Sequence, residues 1–185
     1  NTIQDIQGSF NGPIIKDKAF FYVTYEDTLV TNPVLYGPAG SGAANEQSIT
    51  QAQVDNIRNI TKTKYGWDPL GVASTTESKQ ENTSLRIDYI VNENHRLTYN
   101  YKLTEGDRLR ASGSNSSFYF ESASYFKGEE TDTSSILLVS DWADNLISEI
   151  YWSNKSTDTS QESPAGQDVP NFYIDDAYGM RVYLG

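Results

Sequence analysis

Residues 85–103 read LRIDYIVNENHRLTYNYKL, and this stretch decides the fold class. Apolar and polar side chains alternate on both sides of a short polar turn, Asn92-Glu93-Asn94, although Ile90 interrupts the polar row. Strict alternation is the signature of a β-strand that has one apolar and one polar face. The apolar set is Leu85, Ile87, Tyr89, Val91, Leu97, Tyr99, Tyr101 and Leu103, and the polar set is Arg86, Asp88, Thr98, Asn100 and Lys102. The stretch therefore predicts two strands joined by a tight turn.

Two further pairs of alternating segments flank this one. Residues 2–15 and 19–30 meet at Lys16-Asp17-Lys18, and residues 135–143 and 146–155 meet at Ala143-Asp144-Asn145. The connections between pairs are long and run roughly over residues 31–82, 107–132 and from 157 onward. Short turns that alternate with long loops are typical of a chain crossing an outer membrane repeatedly as β-strands. A β-sandwich would instead place loops of mixed length at both ends.

The first long connection carries one predicted helix. Thr50 and Gln53 have the spacing of a capping box, and Ile49 is placed to pack onto Val54. Gly66 follows as a left-handed C-terminal cap. The expected apolar stripe is Val54, Ile57, Ile60 or Thr61, and Tyr65. Upstream, residues 38–44 superficially resemble a phosphate-binding loop but lack its Lys-Ser/Thr ending, so nucleotide binding is not expected.

The second long connection contains an aromatic run, FYFESASYF, at residues 118–126. This run predicts a strand that extends past the membrane, or a small extracellular hairpin. We expect its aromatic side chains to pack against a neighbouring loop, and a binding surface is the alternative. Acidic residues in the same connection, Glu129, Glu130 and Asp132, are expected to be solvated loop charges.

Composition narrows the class further. The 185 residues include 13 Tyr, 7 Phe and 3 Trp, although only 37% are hydrophobic. This balance suits a barrel whose strands are apolar on one face and carry aromatic girdles. The net charge of -11 argues against nucleic acid as a partner, and the absence of Cys excludes disulfides and thiolate metal sites. The single His95 stands in a turn without a local catalytic arrangement, so we expect no enzyme activity, metal or cofactor.

Several stretches resemble TonB-dependent outer-membrane receptors, specifically the Oar-like subgroup. The most specific is residues 8–26, GSFNGPIIKDKAFFYVTYE, where that family has a Gly-Gly-Pro-Ile-x-Lys-Asp-Lys turn before an aromatic strand ending in Tyr-Glu. Asn11 replaces the first Gly of the usual pair. Residues 37–45, 49–55, 85–101, 140–145 and 181–185 are also similar to the family.

The resemblance implies an all-β fold: a fragment of a large antiparallel transmembrane β-barrel of about 22 strands, closed by an N-terminal plug domain. Residues 1–185 would form a partial barrel domain of about six early strands with one short helix in an extracellular loop. The plug and the remaining strands would lie outside this chain. The implied function is energised passage of a bulky, unknown solute across the bacterial outer membrane. Implied partners are membrane lipid, the plug, the other strands and, through the plug, the TonB complex.

Eight residues follow as candidate site residues. Arg86, Asp88, Asn100 and Lys102 are expected to face the barrel interior, where they would hold the plug or line the permeation route. Pairing among these four across neighbouring strands is a further possibility. Interface aromatic residues are expected at Tyr99, Tyr101, Trp142 and Trp152.

One function from a different class remains open. An extracellular β-rich binding or adhesion module that recognises glycan or protein would also carry aromatic loops. Such a module would be soluble, monomeric and cooperatively folded when expressed alone, whereas lipid-facing apolar rows favour the barrel. A secreted enzyme has no specific feature in its favour.

Overall fold

The computed structural model describes residues 1–110, 113–168 and 171–185. Its strands are β1 (Thr2–Ile15), β2 (Ala19–Pro33), β3 (Tyr36–Ala39), β4 (Asn45–Thr50), β5 (Thr75–Asn92), β6 (His95–Arg110), β7 (Ser117–Tyr119), β8 (Tyr125–Ala143), β9 (Leu146–Glu162), β10 (Tyr173–Ala177) and β11 (Met180–Tyr183). The described residues also form one α-helix, α1 (Gln51–Tyr65), and a 3-10 turn at Glu121–Ala123.

A six-stranded sheet forms most of the structure, in the order β1-β2-β5-β6-β8-β9. Each neighbouring pair is antiparallel. The predicted all-β class, the six main strands and the short helix are therefore confirmed. The sheet is open, with β1 and β9 at its two edges, and no ladder joins these edges within the described part of the chain.

Four of the six strands are longer than the alternation predicts. β5 and β6 extend to Thr75 and Arg110, and β8 and β9 begin and end at Tyr125 and Glu162. The first two long connections shrink accordingly to residues 34–74 and 111–124. In these outer halves most residues on both faces are polar, and apolar ones such as Leu109 and Phe126 are isolated, so hydropathy gives no period-2 signal even though the backbone ladder continues.

The helix has the ends that the sequence predicts. The Thr50 side chain accepts from the Gln53 N–H, the Gln53 side chain accepts from the Thr50 N–H, and Gly66 adopts φ 70° as the C-terminal cap. Val54, Ile57 and Thr61 are buried. Tyr65 is 77% exposed, so its predicted place in the buried stripe is wrong.

The connecting segments fold together into a small unit with its own hydrophobic core, which we call the loop core. β3 pairs with β4, and β7, β10 and β11 form a three-stranded sheet. The loop core comprises Ile49, Val54, Ile57, Phe118, Phe120, Met180, Val182 and Leu184. Phe118 and Phe120 pack edge to face with ring centroids 5.3 Å apart. The expectation that these aromatic residues pack against neighbouring loops is confirmed.

Candidate functional site

The ladder register sorts the side chains of the main sheet onto two faces. Directly paired residues of neighbouring strands lie on the same face, as do residues i and i+2 of one strand. One continuous row is Phe21, Ile87, Tyr99, Ile136 and Trp152, and the row nearer the turns is Ala19, Tyr89, Leu97, Leu138 and Ile150. We call this side of the sheet the apolar face and the opposite side the polar face.

Many apolar side chains on this face point into the surroundings instead of a protein core. Phe10 on β1 is 71% exposed, and Trp152 on β9 is 55% exposed. Ile6 and Ile150, on the same two strands, are also exposed. An apolar surface that crosses six strands is far larger than the scattered exposed hydrophobic residues of a water-soluble protein. This face is therefore suited to contact with an apolar medium or partner.

The outer edge of the apolar surface runs obliquely across the strands. On β1 the apolar residue of this face that lies farthest from the turns is Ile6. The row of directly paired residues that starts at Ile6 crosses the sheet and ends at Asp158 on β9. On β9 the last apolar residue is Trp152, six positions closer to the turn. Six residues span about 20 Å and five strand spacings span about 24 Å, which gives a slant of about 40°.

The turns at the other end of the sheet follow nearly the same slant. Ala19, the first residue of β2, shares its row with Ile150 of β9. β9 continues four residues further, to Leu146, before its turn. Four residues correspond to about 13 Å over four strand spacings of about 19 Å, a slant of about 35°. Both edges of the apolar surface are thus tilted by a similar angle relative to the strands.

A row of carboxylates crosses this face of the sheet in the ladder row of Ile6, and on β5, β6, β8 and β9 it lies beyond the edge of the apolar surface. Its members, each directly paired with the next, are Asp27, Glu81, Glu105, Glu130 and Asp158. Lys79 forms an ion pair with Glu81 at 3.1 Å. Glu130 and Asp132 were expected in a loop and instead lie in β8 on the apolar face, and Glu129 lies on the polar face. In the described residues, no group of three or more His, Asp or Glu side chains is arranged to hold a metal ion.

Arg86, Asp88, Asn100 and Lys102 all lie on the polar face. The Arg86 guanidinium donates to both carboxylate oxygens of Asp88, with Nε–Oδ2 at 2.8 Å and Nη2–Oδ1 at 2.9 Å. Thr98 Oγ1 donates to the same carboxylate at 2.8 Å. The pairing of these charges therefore runs along β5 and not to Lys102 across the strands.

The other two polar-face candidates differ in their contacts. The Asn100 amide donates to Ser135 Oγ at 3.4 Å. Lys102 stands between Ser84 and Thr133 in the ladder and makes no ion pair with any described residue. Near the turns the polar face also carries Phe20, Leu137 and Tyr151, which the alternation does not explain.

The four predicted interface aromatic residues lie on the apolar face. Trp152 marks its outer edge on β9, and Tyr101 lies near that edge on β6, one position beyond Tyr99 on the same face. Trp142 lies at the opposite end, next to the β8–β9 turn. Its ring packs on His95 with centroids 5.0 Å apart, and its Nε1 donates to Ser148 Oγ at 2.8 Å.

An apolar groove beside α1 was not predicted from the sequence. Its cavity volume is about 430 Å³, and its walls include Ile60, Tyr65, Trp67 and Phe172. The Trp67 and Phe172 rings pack with centroids 5.3 Å apart. These residues come from two connections separated by more than one hundred positions, so no local pattern could have revealed the groove.

Charged groups brace the loops around this groove. Asp68 accepts from Arg58 Nε at 2.8 Å and lies 2.7 Å from Lys62 Nζ. The hydrogen bond from Arg58, followed by that from Lys62, holds the pKa of Asp68 well below its usual range.

The small-residue loop at residues 38–44 binds a carboxylate of the same chain. Its Gly40 and Gly42 N–H groups donate to Glu46 at 3.1 and 2.9 Å, and they lower the pKa of Glu46. The N–H groups of a nest of this kind favour an anion, and Glu46 already occupies it.

No family model matches this chain, and neither the curated proteins nor the solved structures that were compared include a match. In the described ranges, no helix combines the length and the apolar character needed to cross a membrane.

Proposed function

We propose that this chain forms part of the barrel wall of a TonB-dependent outer-membrane transporter, which passes a bulky solute through the bacterial outer membrane. The observation that carries the proposal is the exposed apolar surface with two parallel, slanted edges. Strands of outer-membrane barrels tilt by about 35–45° from the membrane normal, so a membrane cuts their rows obliquely at that angle. The slants of about 40° and 35° support such a tilt.

The edges of the sheet support continuation into further strands. The edge strands β1 and β9 are 14 and 17 residues long, and the N–H and C=O groups on their outer sides have no ladder partner among the described residues. Unpaired N–H and C=O groups are too costly to face lipid, so barrels in membranes close completely. In this proposal the edges pair with strands outside this chain, the apolar face contacts lipid and the polar face lines the interior.

The polar-face contacts refine the roles of the candidate residues. Arg86 and Asp88 satisfy each other, so each has little charge left for a plug domain. Lys102 retains an uncompensated charge and an exposed side chain, which makes it the stronger candidate for holding the plug or contacting the solute. Asn100 adds a neutral hydrogen-bonding group beside it.

Site-directed spin labelling of the protein in its own membrane tests the proposal. This chain has no Cys, so Leu97→Cys and Tyr99→Cys introduce single labelling sites within it. Both labels should collide readily with oxygen, which concentrates in lipid, and weakly with a water-soluble nickel complex. Asn100→Cys, on the other face of the same strand, is the matched control and should collide less with oxygen. Labels at residues 97 and 99 that differ from each other, or that both report bulk water, would refute the assignment.

A second candidate function, an adhesion or binding module, is favoured by the groove beside α1. Tyr65, Trp67 and Phe172 offer aromatic surface to a glycan or a protein segment. A soluble, monomeric and cooperatively unfolding product of this chain alone would favour this candidate. The barrel proposal predicts that the isolated chain aggregates through its apolar face and its open edges.

A further inference from the structure

A hollow opens on the polar face of the main sheet, beyond the apolar part of the strands. Gly106 lies at the bottom of the hollow. The space above it is open because glycine has no side chain to fill it. The cavity volume is about 350 Å³, and the side chains around it include Gln80, Thr104, Arg108, Lys127, Glu129 and Thr131. Gly106 is paired with Gln80 on β5 and with Glu129 on β8, so the hollow lies across three strands.

Two cations stand directly opposite each other at one end of this hollow. Arg108 of β6 is the ladder partner of Lys127 of β8. Like charges directly opposite in a sheet repel each other. Neither side chain makes an ion pair with a residue that the structure describes, although Glu129 lies in the same hollow. An anion bound between Arg108 and Lys127 would remove this repulsion.

The opposite face of the same strands has the opposite charge. Glu105 and Asp107 of β6 and Glu130 of β8 all lie on the apolar face, directly behind the hollow. The cation beside them, Lys79, is ion-paired with Glu81, so the net charge there is negative. On the polar face, Lys102 and Lys155 flank Thr133, in the same ladder row, closer to the turns. A basic strip therefore leads along the polar face towards the hollow, while the apolar face repels anions.

We propose that the hollow at Gly106 binds an oxyanion, a carboxylate or phosphate group, of the solute that passes along the polar face. Arg108 and Lys127 supply charge-assisted hydrogen bonds to it, and Gln80, Thr104 and Thr131 supply neutral ones. Glu129 offsets one of the two positive charges, which leaves a net single positive charge. Binding of an anion at the hollow follows from these residues alone, whereas its assignment to a transported solute rests on the proposed function.

The charge of the hollow can be measured with a Gly106→Cys variant of the protein in its membrane. A β-carbon at this position would lie 3.7 Å from the Lys79 carbonyl oxygen, an ordinary contact, so the sheet should tolerate it. Reaction rates are compared for sulfonatoethyl and trimethylammonium-ethyl methanethiosulfonate, which differ mainly in charge. We take one net positive charge at roughly 8 Å from the thiol, in water. The ratio of the anionic to the cationic reaction rate should then be about sixfold higher at residue 106 than for free cysteine.

Two variants serve as controls for this measurement. When Arg108→Gln and Lys127→Gln are added to Gly106→Cys, Glu129 is the one charged side chain left in the hollow among the described residues, so the cationic reagent should react faster. The ratio of the two rates should change by about thirtyfold in total at low salt. Ser160→Cys places a thiol on the apolar face opposite Gly128, near the carboxylates, and should prefer the cationic reagent.

Binding itself is tested with inorganic phosphate at constant ionic strength, with chloride as the replacement salt. Phosphate at a concentration equal to its Kd should halve the labelling rate at residue 106, and the Arg108→Gln/Lys127→Gln variant should lose this protection. Equal rates for the two reagents, no protection by phosphate, or protection that survives in the double variant would overturn the proposal. Unreactivity towards both reagents would also overturn it, since the protein's own groups would then fill the hollow. None of these outcomes affects the spin-label test at Leu97, so failure of this site and failure of the barrel assignment are distinguishable.

Discussion

Replacement of Phe120 by alanine should open the loop core without dissolving the main sheet. The Phe120 ring is fully buried and packs on Phe118, and its backbone N–H donates to the Tyr183 carbonyl at 3.0 Å. A buried Phe→Ala change typically costs about 3–5 kcal/mol. Because every 1.4 kcal/mol is a factor of ten, the open population of the loop core should rise between about 10² and 10⁴-fold.

Trypsin provides the assay because α1 carries Arg58, Lys62 and Lys64 as cleavage sites. When opening and closing are fast compared with cleavage, the cleavage rate follows the open population. Cleavage within α1 should therefore accelerate strongly in the Phe120→Ala variant. Tyr65→Ala removes an aromatic ring of similar size from an exposed position in the same unit and should be cleaved at nearly the wild-type rate. Equal cleavage rates for Phe120→Ala and wild type, or equal acceleration in both variants, would refute the loop core as the structure that protects α1.

Two further predictions concern charged groups. Arg58 and Lys62 lower the pKa of Asp68, so the ionised Asp68 stabilises the fold fully above its unfolded pKa of about 3.9, and this stabilisation is lost as the pH falls below that value. The amide protons of α1 in the wild type should therefore lose protection from exchange below about pH 4. Asp68→Asn should remove this pH dependence. Glu105 is paired with a carboxylate on each side, so Glu105→Gln should stabilise the sheet by about 0.2–1 kcal/mol for each pair. The midpoint of thermal unfolding of Glu105→Gln should lie above that of the wild type at low salt, and the two midpoints should coincide in about 1 M salt. Glu129→Gln, which removes a carboxylate opposite Gly106, should bring no such gain.

Local patterns made part of this structure predictable. β1 begins and ends where the alternation indicates, and Thr50, Gln53 and Gly66 cap α1 as expected. Each of these features depends on residues a few positions apart, so the sequence alone contains the whole interaction. The same is true of the Arg86–Asp88 pair, because residues i and i+2 of a strand share a face. That spacing could have predicted the pair, and the expectation of pairing across strands overlooked it.

Other features depend on contacts between distant segments. The loop core joins Ile49, Phe118 and Val182, which come from three separate connections. The outer halves of β5, β6, β8 and β9 have polar residues on both faces, and only their neighbours' backbones make them strands. Arg108 and Lys127 meet only because the register places them opposite each other. Without that register they are two charges in a predicted loop.

Along the whole length of β6, alternate residues lie on opposite faces of the sheet and differ in chemical character. Near the turn, alternate residues are apolar and polar, as in Leu97 and Asn100, and towards the far end they are acidic and basic, as in Asp107 and Arg108. A continuous strand cannot exchange its faces without a bulge, and the described ladder from Arg96 to Arg110 has none. Labels at residues 97 and 106 must therefore report opposite sides of the sheet. If Leu97 contacts lipid, the basic hollow opens towards the interior, and an anion that reaches it must have entered the barrel.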